Sequence, residues 1–265
     1  MQVLVCVKLL AEAMWQAADP MINQETGARC TLSPDASCTL SFNPVDEGAL
    51  ALLLKANQSL QLNMATLTIA DQRGDALLQR LIANGYQHAI RIEPPHWPLE
   101  FAPRSTAAII ADFAKQQQIP WIVVGPEQGG AENHETGFLL AELLGYPCIQ
   151  DVVEIQQMSH TEVELSCQHG NIRQRYRVKG PSVWIAHRSV AQHSLPVPTL
   201  MARMKSRDQK IIHHPMPLAV PVEEGRTVDF QWIAEPNSSC RFFSLDDIGS
   251  LATEVRKIIG KEEYK

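Results

Sequence analysis

A glycine-rich stretch from Gly125 to Glu135 carries the residues whose types and spacing best fit ligand chemistry. Gly125, Gly129 and Gly130 can adopt positive φ, which lets backbone N–H groups approach a ligand closely. A helical pattern opens near Thr136, a candidate N-cap, and the free N–H groups at a helix N-terminus favour an anion. The stretch therefore predicts a phosphate or nucleotide site. Because its spacing matches neither the P-loop nor GxGxxG, a glycine-rich connection without a ligand is an equal alternative.

The surrounding elements place this loop at one edge of a parallel sheet. Apolar runs predict strands at 2–8, 64–70, 88–92 and 122–124, and amphipathic patterns predict helices at 43–57, 75–84, 105–117 and from Thr136 onward. This alternation predicts an α/β fold with a doubly wound, mainly parallel sheet of the adenine-nucleotide-binding type. Since parallel strands end at the same edge, residues that follow them meet in one crevice.

The second half of the chain predicts a small β-hairpin extension and a C-terminal arm. Short alternating strands are predicted at 152–156, 162–167 and 174–178, with a turn at Gly170-Asn171, and the run 181–186 rejoins the sheet. Later residues are polar and proline-rich until an amphipathic helix at 244–259. We therefore expect a nucleotide-binding domain over 1–190, and over 191–265 a partner-recognition loop, an extended tail and a helix that packs on another subunit.

Composition narrows the functional classes. The 265 residues contain no membrane-length apolar run, and the N-terminus enters a strand directly, so we expect a cytoplasmic protein. The net charge of −6 disfavours nucleic acid as a partner. Six scattered cysteines without a CxxC pair favour reduced thiols over a metal site. Neither a Ser/His/Asp set in a motif context nor HExxH is present, which favours a binding subunit over an enzyme.

Four segments of the chain, VLVCVK, FNPVDEGAL, VVGPEQGGAENHETGFLLAELLGYPC and LPVPTLMARMK, resemble in the same order those of the electron transfer flavoprotein β-subunit family. The resemblance covers residues 1–205. It implies an electron-carrier subunit that pairs with an α-subunit, shares a redox FAD with it, and passes electrons from a dehydrogenase to an acceptor. It further implies a structural AMP in the crevice, or a second FAD in its place.

The resemblance also implies which residues bind. The nucleotide positions of the family fall on strand ends, on the start of the first helix and on the glycine-rich loop: Cys6, Asn43, Pro44, Val45, Asp46, Asp71, Gly125, Gln128, Gly129, Gly130, Ala131, Glu132, Asn133, His134, Glu135 and Thr136. The partner-recognition loop falls on Val197, Leu200 and Met201, with Arg203 and Lys205 nearby to meet acidic groups. The glycine-rich loop is thus indicated as a nucleotide site both by its own residue pattern and by the resemblance.

The glycine-rich loop departs from the family pattern GKQAIDDDxxQTG. Pro126 stands in the position of the lysine, and Glu132 and Glu135 bring carboxylates close to a bound anion, which weakens binding unless these side chains turn outward. Two further functions stay open: an adenine-nucleotide-binding regulatory or stress-type domain without flavin, and a scaffold subunit with a decayed nucleotide site. The long arm after residue 190 favours the flavoprotein subunit, because a free-standing nucleotide sensor does not need it.

Overall fold

The computed structural model describes residues 2–13, 38–60, 62–97, 99, 102–126, 135–157, 162–222, 243 and 248–259. The chain forms two compact units, Met1–Gly225 and Arg226–Lys265. The first unit has the predicted α/β architecture, and the helix described in the second is the predicted C-terminal one. Within the described residues, no helix is long and apolar enough to span a membrane.

A nine-stranded sheet, in which seven neighbouring strands run parallel, forms the centre of the first unit. The strands are β1 Gln2–Cys6, β2 Leu9–Ala13, β3 Cys38–Phe42, β4 Asn63–Ile69, β5 His88–Ile92, β6 Trp121–Val124, β7 Cys148–Gln157, β8 Glu162–His169, β9 Ile172–Lys179, β10 Ser182–Ala186 and β11 Ile212–His214. Their order is β11-β5-β4-β1-β6-β10-β7-β8-β9, and β2 pairs with β3 separately. Antiparallel pairing of β8 with β7 and β9 confirms the predicted hairpin extension.

Six helices lie in the described part of the chain: α1 Pro44–Leu60, α2 Asp75–Ala83, α3 Pro103–Gln116, α4 Thr136–Leu144, α5 Leu200–Ser206 and α6 Ile248–Ile259. Pro44 and Pro103 occupy first helical positions, where the missing N–H costs nothing. Helix α4 has Glu135 as its N-cap, without a side-chain cap bond, so the predicted cap role of Thr136 is wrong. It ends at Gly145, whose φ of 67° suits glycine.

Apolar layers cover both faces of the sheet, which explains why its inner strands read as continuous apolar runs. In β1, Val3 and Val5 belong to the layer shared with α1 and α2, whereas Leu4 and Cys6 belong to the layer shared with α3 and α4. The ring centroids of the buried Trp121 and Trp184, on adjacent strands, lie 5.6 Å apart. The inner parallel strands β1, β4, β5, β6 and β10 therefore contribute side chains to both apolar layers.

The first unit extends beyond the boundary predicted at residue 190. Helix α5 packs beside α2, where the side-chain amide of Gln79 donates to the carbonyl of Ser206. Strand β11 then pairs in parallel with β5, and the ring of His214 meets Phe113 edge-on at 5.1 Å. These contacts hold residues 191–222 in the same compact unit as the sheet, and the expected role of the arm in partner binding stays a prediction.

Candidate functional site

The topology creates a crevice between the carboxyl ends of β1 and β6. From β1 the chain proceeds through α1 to β4 and β5 on one side, and it then returns through α3 to β6 on the other side. Neighbouring strands whose connections leave in opposite directions form a topological switch point, where open α/β sheets bind ligands. Cys6 and Val124 are register partners at the ends of these strands, and the glycine-rich loop begins directly after, at Gly125.

The start of α1 forms one wall of this crevice through two bonds to Lys8. The backbone N–H of Asn43 donates to the carbonyl of Lys8 at 3.1 Å, and the N–H of Lys8 donates to Asp46 Oδ2 at 2.7 Å. Asp46 is only 5% exposed. Because a Cβ on Gly125 would lie 1.9 Å from Asp46 Oδ1, the close approach of the loop to α1 requires glycine there.

Asn43 supplies a buried acceptor whose partner is missing within the described part of the chain. The residue is 2% exposed, and its Oδ1 has no hydrogen-bond partner among the described residues. Buried side-chain oxygens almost always accept a hydrogen bond, because an unmet acceptor costs free energy. A ligand with an N–H or O–H group would meet this need.

Pro44 and Val45, which were both predicted to contact the nucleotide, have different surroundings at the start of α1. The side chain of Val45 is fully buried in the layer between α1 and the sheet, so it faces away from solvent. Pro44 is exposed and has no backbone N–H to donate. Only backbone atoms of Val45 are therefore available to a ligand in the crevice.

Cys6 ends β1, Asp71 follows the adjacent strand β4, and the two side chains differ in charge state. Burial, together with the charge of Asp46, raises the pKa of the Cys6 thiol far above its ordinary value, so the thiol stays neutral. Asp71 caps the 3-10 turn Gln72–Gly74, and Arg73 Nη2 contacts its Oδ2 at 2.7 Å. The hydrogen bond from Arg73 lowers the pKa of Asp71 and keeps it ionised. Cys6 is thus a buried, neutral thiol at the end of β1.

The described residues include only the two ends of the glycine-rich loop. Thr136, the first residue of α4, is buried, and Glu135 before it is exposed. The predicted ligand contacts at Gln128, Gly129, Gly130, Ala131, Glu132, Asn133 and His134 lie outside the described residues. The structure therefore brings Cys6, Asn43, Asp46 and Gly125 to one crevice, and the remaining loop contacts stay predictions.

The predicted partner-binding residues are all exposed. Val197, Leu200 and Met201 are 83%, 74% and 69% exposed, and the hydroxyl of Thr199 caps α5 by accepting from the N–H of Ala202. Beside them, residues of α5 and α2 line a groove of about 440 Å³. Its lining includes Arg80, Arg203 and Arg207 together with Leu200 and Met204. Sequence reasoning missed Arg80 and Arg207, because only the packing of α5 on α2 brings them together.

Comparison with known proteins agrees with the geometry of a doubly wound sheet that has a polar crevice at its switch point. A family model described as "Electron transfer flavoprotein domain" matches residues 37–217. The chain is also 32% identical over 222 residues to "Putative electron transfer flavoprotein subunit YgcR" of Escherichia coli (strain K12), covering 80% of this chain and 78% of that protein. The chain therefore belongs to the electron transfer flavoprotein family.

Proposed function

We propose that this chain is the β-type subunit of an electron transfer flavoprotein. It pairs with an α-type subunit, holds a redox FAD together with that subunit, and carries electrons from a dehydrogenase to an acceptor without being an enzyme itself. The observation that carries the proposal is the crevice at the switch point between β1 and β6, where the buried Oδ1 of Asn43 has no partner among the described residues. Membership of the family supports the redox role.

The crevice suits an adenine nucleotide because it has hydrogen-bond acceptors at the start of α1 and N–H donors at the start of α4. Asn43 Oδ1 and the carboxylate of Asp46 accept from the N–H or O–H groups of an adenosine. The first N–H groups of α4, which begins at Thr136, favour a phosphate. We propose AMP as this ligand, or a second FAD in its place.

The residues of this chain bind the nucleotide and shape the crevice around it. FAD supplies the reversible electron chemistry when it is bound. The bond from the Lys8 N–H to Asp46 fixes α1 against the end of β1. Gly125 allows β6 and its loop to close on the same carboxylate. A crevice preformed in this way reduces the conformational entropy that nucleotide binding has to overcome.

The exposed apolar residues near α5 form the proposed docking surface for a dehydrogenase. Leu200 and Met201 offer apolar side chains of the kind that fill a partner's pocket. Arg203 and Arg207 lie beside them, and within the described residues neither guanidinium has a carboxylate partner. The donor protein that fits this surface presents an apolar pocket with an acidic rim.

Co-expression with an α-type subunit tests the proposal. The complex is purified through a tag on this chain, its visible absorption is recorded, and the nucleotides released on denaturation are quantified. A yellow complex that releases FAD and AMP in nearly equal amounts supports the proposal, and two FAD without AMP identify the two-flavin form. A colourless complex without nucleotide would refute it and favour a scaffold with a decayed site.

Substitution of Asn43 tests the crevice itself. In Asn43→Ala the acceptor for the ligand is lost, so AMP affinity should fall roughly tenfold, which corresponds to about 1.4 kcal/mol, within the range for one hydrogen bond. The stability of the nucleotide-free protein should hold, because the removed Oδ1 has no described partner. Asn84→Ala, at the end of α2, is the matched control. Equal AMP affinity in the two variants would place the ligand elsewhere.

A further inference from the structure

The first turn of α1 contacts two different parts of the molecule through consecutive residues. Asp46 faces the crevice, where it accepts from the Lys8 N–H at 2.7 Å. Glu47, the next residue, faces the chain that leads to α5. Its Oε1 accepts from the N–H of Leu195 at 3.3 Å and lies 3.5 Å from Arg80 Nη2. The same helical turn therefore contacts both the proposed nucleotide crevice and the chain that leads to the partner-binding residues.

The fit between this turn and the chain before α5 is close. A Cβ on Gly48 would lie 2.1 Å from the backbone carbonyl oxygen of Val190, so the two backbones touch. Val190 and Leu195 are buried in the same apolar layer as Val45. The chain from 188 to 195 is thus fixed on α1 by packing, and Glu47 adds a polar bond at its far end.

The exposed partner-binding residues follow this anchored stretch directly. Val197 comes two residues after Leu195, and α5 begins at Leu200. We call residues 187–207 the docking segment. Where the N–H of Leu195 is held determines where Val197 and the start of α5 are presented to a partner.

We propose that Glu47 is a positioning residue that couples nucleotide occupancy of the crevice to the order of the docking segment. This inference rests on the proposed function, since the ligand is a nucleotide at Asn43 and Asp46. A ligand held by those two residues restricts the first turn of α1, and the bond between Glu47 and the Leu195 N–H then opens less often. If AMP raises the affinity of the docking segment for a partner by some factor, reciprocity requires that the bound partner raise AMP affinity by the same factor.

Hydrogen–deuterium exchange on the full-length chain in complex with its α-type subunit tests the coupling, with AMP as the added probe. AMP should slow exchange at Leu195 and neighbouring amides by roughly two- to tenfold, as expected when one hydrogen bond opens less often. Glu47→Ala should abolish this AMP-dependent difference and leave AMP affinity within about twofold, because its side chain is not part of the crevice.

Two variants separate coupling from a general loss of structure. Glu47→Gln keeps an oxygen that accepts from the Leu195 N–H, so it should retain the AMP-dependent protection. Glu142→Ala, an exposed glutamate on α4, is the matched control and should behave as the unaltered chain. If Glu47→Ala does not fold, Glu47→Met provides the same test, because it keeps the length of the side chain but has no oxygen that accepts from the Leu195 N–H.

The outcomes distinguish this inference from the proposed function. AMP that binds without slowing exchange at 191–199, or full protection retained in Glu47→Ala, would overturn the coupling and leave the nucleotide site intact. Failure of both AMP and FAD to bind the complex would instead refute the proposed function, and the coupling with it.

Discussion

Substitution of Gly125 by alanine gives the sharpest test of the crevice geometry. The new Cβ would lie 1.9 Å from Asp46 Oδ1, whereas the next atoms, Asp46 Cγ and N, are 3.1 and 3.3 Å away. The nearest obstacle is thus the tip of a side chain and not backbone. The clash is relieved when the carboxylate of Asp46 rotates away from the loop.

The cost of that rotation follows from the bond that it breaks. Asp46 Oδ2 accepts from the Lys8 N–H at 2.7 Å in a nearly solvent-free position. A hydrogen bond to a charged group contributes roughly 1.5–3 kcal/mol to stability. For a unit of this size we expect Gly125→Ala to lower the melting temperature by roughly 3–12 °C.

Thermal unfolding followed by circular dichroism measures this effect, and equilibrium dialysis with AMP measures the accompanying loss of affinity. Gly249→Ala is the matched control, because no atom of the described residues lies within 4 Å of a Cβ at that position in α6. It should leave the first unit's transition unchanged. If Gly125→Ala melts with the unaltered chain and binds AMP equally well, the proposed contact between the loop and α1 is wrong.

Three further expectations follow from other contacts. Tyr86→Phe removes the bond from the buried hydroxyl to the carbonyl of Leu50, 2.9 Å long, and should reduce the unfolding free energy by about 0.5–1.5 kcal/mol in urea titrations. Burial raises the pKa of the Cys148 and Cys167 thiols from 9.0 to about 11, so the unfolded chain ionises first and stability should fall as pH rises from 9 to 11; a flat profile would contradict this. Met201→Glu, at an exposed apolar position, should slow electron transfer from the donor dehydrogenase without changing the melting temperature, and an unchanged rate would move the docking surface elsewhere.

The elements that build the crevice were predictable because local signals and tertiary packing agree there. In β1, the unbroken apolar run corresponds to a strand buried on both faces. Pro44 and the acids Asp46 and Glu47 mark the start of α1 from sequence alone. The hairpin at Gly170-Asn171 was equally clear from the turn residues between two alternating strands, and the φ of 58° at Gly170 agrees with it.

Other features depend on contacts that no local pattern encodes. The three residues of β11 are too few to show a period, and their strand exists because it pairs with β5, far away in sequence. Glu47 reads as an ordinary first-turn acid, and its bond to the Leu195 N–H arises only from tertiary packing. The cap at Glu135 was missed because Thr136 offered a hydroxyl of the favoured type one position later.

Strand β11 has a further consequence for the solubility of the whole sheet. It covers the open side of β5, with Ile212 opposite Ile90 and His214 opposite Ile92. A strand as apolar as β5, left with unpaired N–H and C=O groups, is a template on which other chains can add in β-sheet fashion. The short β11 pairs with this edge at Ile90–Ile92 and leaves an edge only three residues long, so it shortens the template that the sheet presents to other chains.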